Sequence, residues 1–373
     1  MTAEVNFQMI KVCQVVTDTN IGGAGRYLLN YLKHYDREKY KVSVAIPENS
    51  SLLEFIAAYT DVDIYEIPYM ADKSYDGRCV KILTELFKKE QFDILHTHAS
   101  LSARIAGRRA RVGTIISTRH CIEPVGRFPV STIKGMLNNS LCDYYIAVSD
   151  AVADNLKESG IKRRKIKKVY NGVEPVAELT LEEKEKIRKE YNIENKKVFS
   201  VFARLEEVKG HKYFIEAAKD YLRKYNDAVF LIVGDGSLID ELKEQAKDTP
   251  QIIFCGYVKD TTELLNVTDV NVISSSSEAM SLAILEAMSL GKPTIATNVG
   301  GNPQLIKSFT NGILVEYEDY FGMSVAFAKL TQDEEFYNNA SYAAKGEFNE
   351  KFTAEIMVKN LEKLYWEVTN EHE

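Results

Sequence analysis

Two glutamates with seven residues between them, Glu278 and Glu286, form the most chemically pointed pattern in the chain. They sit in Ser274-Ser275-Ser276-Ser277-Glu278-Ala279-Met280-Ser281-Leu282, where a β-rich run (Val270 to Ile273) gives way to a polar loop and then a helix. Gly291 stops that helix and Pro293 follows just beyond. An ionised carboxylate accepts charge-assisted hydrogen bonds from hydroxyl groups. One carboxylate in the loop and one along the helix therefore suit a polyhydroxylated ligand. The backbone N–H groups of Met280, Ser281 and Leu282 would point at a diphosphate. Glutamates at this spacing are common in helical proteins, and it is the loop–helix setting that gives the pair meaning.

Other segments offer complementary chemistry. Arg204 ends a strand and Lys209 follows just before a helix, two cations suited to a leaving diphosphate, where charge develops in a transition state. In Thr17 to Arg26 the glycines Gly22, Gly23 and Gly25 turn the chain from strand to helix, which favours a close anionic group. The spacing is not that of a dinucleotide site, and a tight turn would look the same. Gly234, in Val233-Gly234-Asp235-Gly236, reads either way too. His120 ends a first-half strand, where it could donate to a sugar hydroxyl or simply be structural. His96 and His98 share one strand face, but no third ligand with sensible spacing accompanies them, so no metal site is expected.

These residues need elements to hold them, and the chain supplies alternating short apolar runs and amphipathic helices. Strands are expected at Ile10 to Val16, Val42 to Ile46, Ile64 to Ile67, Phe92 to His96, Thr114 to Ser117 and Tyr144 to Val148. The alternation breaks after Asn171-Gly172, passes a charged helix (Leu181 to Tyr191), and resumes at Val198 to Phe202, Val229 to Val233, Ile252 to Phe254, Val270 to Ile273 and Thr294 to Ala296. That pattern predicts two α/β domains with parallel sheets. The expected boundaries are a first domain over 1–172, a second over 173–350 and a terminal amphipathic helix within 351–373. Ile356, Leu361, Leu364, Tyr365 and Val368 mark the apolar stripe of that helix.

The 373 residues carry 45% hydrophobic and 27% charged side chains, as expected of a globular protein with proper cores. No run is long enough for a membrane span, and the start lacks the pattern of a secretory leader. Five scattered cysteines without a Cys-x-x-Cys pair read as reduced thiols, and the expectation is a cytoplasmic protein. Net charge is −7 but divided: 25 Lys+Arg against 19 Asp+Glu up to Gly172, then 22 against 35. The basic stretches Arg104 to Arg111 and Lys162 to Lys168 suit an anionic acceptor or the inner face of a membrane, or are solvated faces. Nucleic acid is not an expected partner, because the basic excess is modest and lacks interleaved aromatics.

Taken in order, Tyr170-Asn171-Gly172-Val173, Arg204 with Lys209-Gly210, Val233-Gly234-Asp235-Gly236, Phe254-Cys255-Gly256-Tyr257-Val258, Glu278-x7-Glu286 and Val299-Gly300-Gly301 resemble the retaining family 4 glycosyltransferases of the GT-B fold. The resemblance implies two Rossmann-like parallel-sheet domains facing a cleft, with the C-terminal helix crossing back to the first. It implies that Glu286 holds the donor ribose, Glu278 the donor-sugar hydroxyls, and Arg204 and Lys209 the distal phosphate. It further implies Tyr257 and Val258 near the nucleobase, the backbone from Met280 through Ser281 to Leu282 on the donor, Gly23 and Gly25 beside the phosphates, and His120 beside the transferred sugar. Ala279-Met280-Ser281 departs from the Gly usual after the first glutamate, and Gln304 stands where Glu is common.

The implied reaction is transfer of a sugar from a nucleotide-sugar, UDP-sugar preferred, to a glycan or lipid-linked acceptor in bacterial polysaccharide or envelope synthesis. Configuration would be retained by front-face displacement, with no cofactor and no metal required. The alternatives are a GT-B-like sugar-nucleotide epimerase and a non-catalytic nucleotide-sugar-binding partner subunit.

Overall fold

A computed structural model describes residues 9–126 and 130–370. The chain forms two compact units, one of residues up to Gly172 together with those from Ala354, the other of Val173–Thr353.

In the first unit seven strands form one parallel sheet: β1 (Ile10–Val16), β2 (Tyr40–Pro47), β3 (Asp63–Ile67), β4 (Ile94–His98), β5 (Thr114–Arg119), β6 (Tyr144–Ala147) and β7 (Ile166–Lys168). Their order is β3-β2-β1-β4-β5-β6-β7. The interior strands are buried on both faces and so do not alternate; β4 is buried at all five positions even though His96, Thr97 and His98 are polar. The second unit carries β8 (Lys197–Phe202), β9 (Ala228–Val233), β10 (Ile252–Gly256), β11 (Val270–Ile273), β12 (Thr294–Thr297) and β13 (Gly312–Val315), ordered β10-β9-β8-β11-β12-β13 and again parallel. Both sheets are α/β and doubly wound, as the alternation required.

Two edge strands were not expected from the sequence. β7 is three residues inside a lysine- and arginine-rich stretch, and β13 is four residues beginning at a glycine. Neither run is long enough to show a period. β4 also runs two residues past the expected end, so His98 lies within the strand.

In each sheet the strand order reverses at one place, between β1 and β4 in the first unit and between β8 and β11 in the second. Ligands of open α/β sheets bind beyond the carboxyl ends of the strands at such a switch point. The Gly22–Gly25 turn follows β1 and Arg204 follows β8, while Glu278 lies in the loop after β11.

The terminal helix Ala354–Asn370 belongs to the first unit. Met357, Val358, Leu361, Leu364, Tyr365 and Val368 are buried in one core with Val12, Val42 and Leu28. Each large apolar side chain removed from water there stabilises by roughly 1.5–3 kcal/mol. Early in the second unit, the helix Leu181–Glu190 is fixed at its start by a capping box: Thr180 accepts from the Glu183 backbone, and the Glu183 carboxylate accepts from the Thr180 N–H.

Candidate functional site

The second unit assembles its polar groups from backbone outward. After β8 the segment Ala203-Arg204-Leu205 is clasped by the turn that follows β9. Leu205 N–H donates to Asp235 O at 3.0 Å, and Leu238 N–H donates to Leu205 O at 3.0 Å. A Cβ at Gly234 (φ +152°) would lie 2.0 Å from Ala203 O, and one at Gly236 would lie 2.5 Å from Leu205 O. Only glycine permits that approach. Gly234 thus has a packing reason of its own: it supports the backbone that presents Arg204, whose side chain is exposed.

Lys209 is fixed more tightly. Ser274 Oγ donates to Lys209 O at 2.8 Å, and Ser276 N–H donates to Val208 O at 2.8 Å. Gly210, at φ +64°, brings its backbone so close to Ser274 that a Cβ would lie 2.1 Å from Ser274 O. The loop after β11 is therefore laced to the Lys209 turn. Lys209 Nζ donates to Glu278 Oε1 at 2.7 Å, and Ser275 Oγ donates to the same oxygen at 2.7 Å. The two residues singled out separately from the sequence are one ion pair, with their side chains 23% and 11% exposed. Among the described residues Oε2 of Glu278 carries no hydrogen bond.

The helix beyond this loop is Leu282–Ser289, with Ser281 as its N-cap and no side-chain hydrogen bond capping it. Its first-turn N–H groups therefore come from Leu282 onward, two residues later than the Met280–Leu282 backbone expected from the sequence. Met280 and Ser281 are themselves buried. Glu286 lies half-buried on this helix, and Gly291 (φ +67°) ends it. Beyond β10, Tyr257 is 75% exposed and Val258 packs partly into a small apolar cluster with Val233 and Leu264.

In the first unit the glycine turn divides by role. Gly22 caps the helix Gly23–His34 without a side-chain hydrogen bond. A Cβ at Gly23 would meet nothing within 4 Å, whereas one at Gly25 would lie 2.9 Å from Leu52 Cδ2. Gly25 is thus a contact glycine, and Gly23 is the open one.

His120 does not stand alone. Its Nε2 lies 2.8 Å from His98 Nδ1, and His98 Nε2 lies 3.2 Å from Gln14 Oε1. Gln14 Nε2 donates to Tyr365 OH at 2.8 Å, Tyr365 OH lies 2.6 Å from His96 Nδ1, and His96 Nε2 lies 2.6 Å from Thr118 Oγ1. The strand register makes this arrangement possible. Gln14 pairs with His96 across β1–β4, and His98 pairs with Thr118 across β4–β5. The His96–His98 and His98–His120 rings are stacked with centroids 4.8 and 5.0 Å apart, and the Tyr27 ring meets His98 and His120 edge-on. Burial pushes His96 down to about 3 and His120 down to about 4. His98 falls well below the usual imidazole range, through burial first and the neighbouring rings second. All three are neutral at pH 7.

The sequence showed His96 and His98 on one face but gave no sign of Gln14 or Tyr365. Among the described residues no group of three or more His, Cys, Asp or Glu side chains could hold a metal ion. All five cysteines are free.

The basic stretches divide. Arg104 is buried and donates to Asn138 Oδ1 (3.0 Å) and Tyr145 OH (2.9 Å), and Arg108 pairs with Asp143, so neither is available to a partner. Lys162, Arg163 and Arg164 are exposed. They adjoin the end of the helix Val130–Leu141, where Lys165 Nζ donates to Asn139 O and Cys142 O. That helix exposes Ile133, Met136 and Leu137 at 64%, 68% and 49%. Among the described residues no helix is long and apolar enough to cross a membrane.

Residues 183–347 match the family model described as glycosyl transferases group 1, and residues 21–176 match glycosyltransferase family 4. The chain is 30% identical over 349 residues to the UDP-Gal:alpha-D-GlcNAc-diphosphoundecaprenol alpha-1,3-galactosyltransferase of Escherichia coli, covering 87% of this chain and 88% of that one. It is 28% identical over 312 residues to the N-acetyl-alpha-D-glucosaminyl L-malate synthase of Bacillus anthracis, covering 79% and 80%. Among solved structures, Anabaena HepE in complex with UDP and glucose superposes with a TM-score of 0.84 at 19% identity, covering 95% of this chain and 99% of that one. A glycosyltransferase from Rickettsia africae superposes with a TM-score of 0.83 at 22% identity, covering 97% and 99%.

Proposed function

Because the chain belongs to the group 1, family 4 glycosyltransferases of the GT-B fold, we propose that it transfers a hexosyl group from a UDP-sugar to a glycan or lipid-linked acceptor with retention of configuration. The observation that carries this reading is the joined pair Lys209–Glu278, a cation and a carboxylate with one oxygen left unbonded, in the same unit as the exposed Arg204. UDP is favoured as the carrier because the Escherichia coli relative is named for UDP-Gal and the HepE structure holds UDP and glucose.

The chemistry assigned to each group follows from its type. Arg204 and Lys209 stabilise the leaving diphosphate as its bond to the sugar breaks. Glu278 Oε2 accepts from a sugar hydroxyl, Glu286 accepts from the ribose hydroxyls, and the uncapped N–H groups from Leu282 onward face the diphosphate. Tyr257 and Val258 flank the base, and Gly23 leaves room for a ligand. The leaving phosphate oxygen takes the acceptor hydroxyl's proton while that hydroxyl attacks from the same face. Protein cations supply the charge, so no divalent metal is needed.

The proposed setting is the cytoplasmic face of a membrane. Ile133, Met136 and Leu137 with Lys162, Arg163 and Arg164 are the group suited to an anionic surface, where each cation contributes about 1 kcal/mol. In the other basic stretch Arg104 is buried and Arg108 is paired with Asp143, which leaves Arg109 and Arg111 exposed to such a surface. Binding to liposomes that is indifferent to anionic lipid would remove this part.

The reading is tested by thermal shift and mass spectrometry of the purified chain with UDP-, GDP- and ADP-sugars, without added metal and again with EDTA. Stabilisation by a UDP-sugar, with slow release of UDP in both conditions, is the expected result. Stabilisation by a GDP-sugar instead would reassign the base. Conversion of the sugar-nucleotide with no acceptor would point to an epimerase, and silence to a binding subunit.

A further inference from the structure

The chain of hydrogen bonds around His120 has a direction, and the direction follows from one residue. Of its members only Gln14 has two chemically different ends, an acceptor oxygen and a donor nitrogen. Its Nε2 donates to Tyr365 OH, so its Oε1 is the end turned to His98. His98 Nε2 must then carry a proton. A neutral imidazole holds only one, so His98 Nδ1 is a bare acceptor. His120 Nε2 therefore carries the proton shared with it, and His120 Nδ1 is left bare. The other arm is consistent. The Tyr365 oxygen accepts from Gln14, so its proton goes to His96 Nδ1, and His96 Nε2–H donates to Thr118 Oγ1. Reversing the amide of Gln14 would reverse both arms together and turn His120 Nδ1 into a donor.

We propose that Gln14, His98 and Tyr365 are positioning residues that hold His120 in its Nε2-protonated form, so that Nδ1 accepts a hydrogen bond from a ligand hydroxyl. The geometry supports this on three counts. The only hydrogen bond of His120 among the described residues is the one to His98. Gln14, His96, His98, Thr118 and Tyr365 are all buried, which denies water the chance to exchange partners with them. The rings are stacked and braced by Tyr27, which holds the nitrogens in line. An acceptor at Nδ1 matches a hydroxyl and mismatches a phosphate or carboxylate oxygen, which has no proton to give. That the hydroxyl belongs to a sugar rests on the glycosyltransferase reading; the acceptor character does not.

The test is ring-nitrogen NMR of the full chain labelled with 15N-histidine, read without ligand and then with UDP-glucose or UDP-galactose. The expected result is a single neutral form with bare Nδ1 for His96, His98 and His120, unchanged between pH 7.5 and 5.5. Gln14→Leu should replace that single form of His98 and His120 by a mixture. Tyr365→Phe should alter His96, which loses its proton donor. A proton found on Nδ1 of His120 in the wild type, or a Gln14→Leu protein whose His120 tautomer is unchanged, would overturn the proposal. The wild-type measurement stands even where a variant does not fold. A bare Nδ1 that fails to respond to either UDP-sugar, in a protein that those sugars stabilise, would remove the ligand contact and leave the tautomer assignment standing. No stabilisation by any sugar-nucleotide would count against the glycosyltransferase reading alone.

Discussion

The polar groups at the two switch points are built on opposite principles. In the second unit Arg204, Lys209 and Glu278 are charged, and the charged side chains are held by backbone loops laced together through glycines and serines. In the first unit the corresponding place holds neutral imidazoles, an amide and a phenol, held by one another inside the core. A charged contact is strong and tolerant of direction. A neutral one is weaker and depends on which atom carries the proton. On the proposed reading, one unit would stabilise developing charge and the other would discriminate by hydrogen-bond polarity.

Acid should separate the two most sharply. Unfolded histidine titrates near ~6.5, whereas His96 and His120 have been pushed down to about 3 and about 4, and His98 is lowered as well. Their stabilising contribution is full above the unfolded value and is lost as pH falls from there toward the folded values. Each such histidine contributes a slope of about 1.4 kcal/mol per pH unit inside that window. The second unit has one such residue, His211, at about 4. Trp366 is the sole tryptophan and lies in the first unit. Its fluorescence should therefore report unfolding at a higher pH than far-UV circular dichroism, which averages both units. Coincident transitions would contradict the asymmetry.

The next largest effect should come from Lys209→Ala, which removes a charged donor and strands Glu278. A loss of about 1.5–3 kcal/mol predicts a fall in kcat/KM of about 10- to 150-fold, measured with the donor identified by the screen. A wild-type rate would remove Lys209 from the reaction.

The glycines sharpen the contrast in stability. Gly234→Ala would press a Cβ against the Ala203 carbonyl, at 2.0 Å, and should cost at least ~1–3 kcal/mol in denaturant unfolding. Gly23→Ala, with open space around the new atom, should stay within about 0.5 kcal/mol. Equal costs would mean that the close approach after β9 does not govern the Arg204 segment.

The smallest effect on catalysis is expected at His120→Phe, which keeps the ring stack and removes the neutral hydrogen bond proposed to the ligand. A loss of about 0.5–1.5 kcal/mol corresponds to about 2- to 12-fold in kcat/KM. A loss as large as that of Lys209→Ala would show that the neutral site carries charge during turnover.

The same contrast explains what the sequence could disclose. The groups of the second unit lie in short motifs whose glycines, serines and charges are local to one turn, so Arg204, Lys209, Glu278 and the helix after them could all be marked from the chain alone. The ion pair itself could not, because residue 209 meets residue 278 only through the adjacency of β8 and β11. The network of the first unit was nearly invisible. Gln14 lies in a β-rich run and Tyr365 in an amphipathic helix, 351 positions apart, and each reads there as ordinary core. Only the alternate spacing of His96 and His98 hinted at a shared face, and with no third ligand in sight it pointed to no chemistry of its own. The sheets themselves were legible except at β7 and β13, too short to carry a period.

The route of the chain has a consequence for how the protein is made. Domains fold largely as units while the polypeptide emerges. The second unit is continuous and has all its residues once Thr353 has been synthesised, but the first, begun earlier, still lacks the helix that starts at Ala354. During that interval the core around Val12, Val42 and Leu28 is uncovered on the side that Leu361 and Tyr365 later fill. Gln14 and His96 are meanwhile without their shared phenol. The unit that starts first on the ribosome is therefore the one that finishes last.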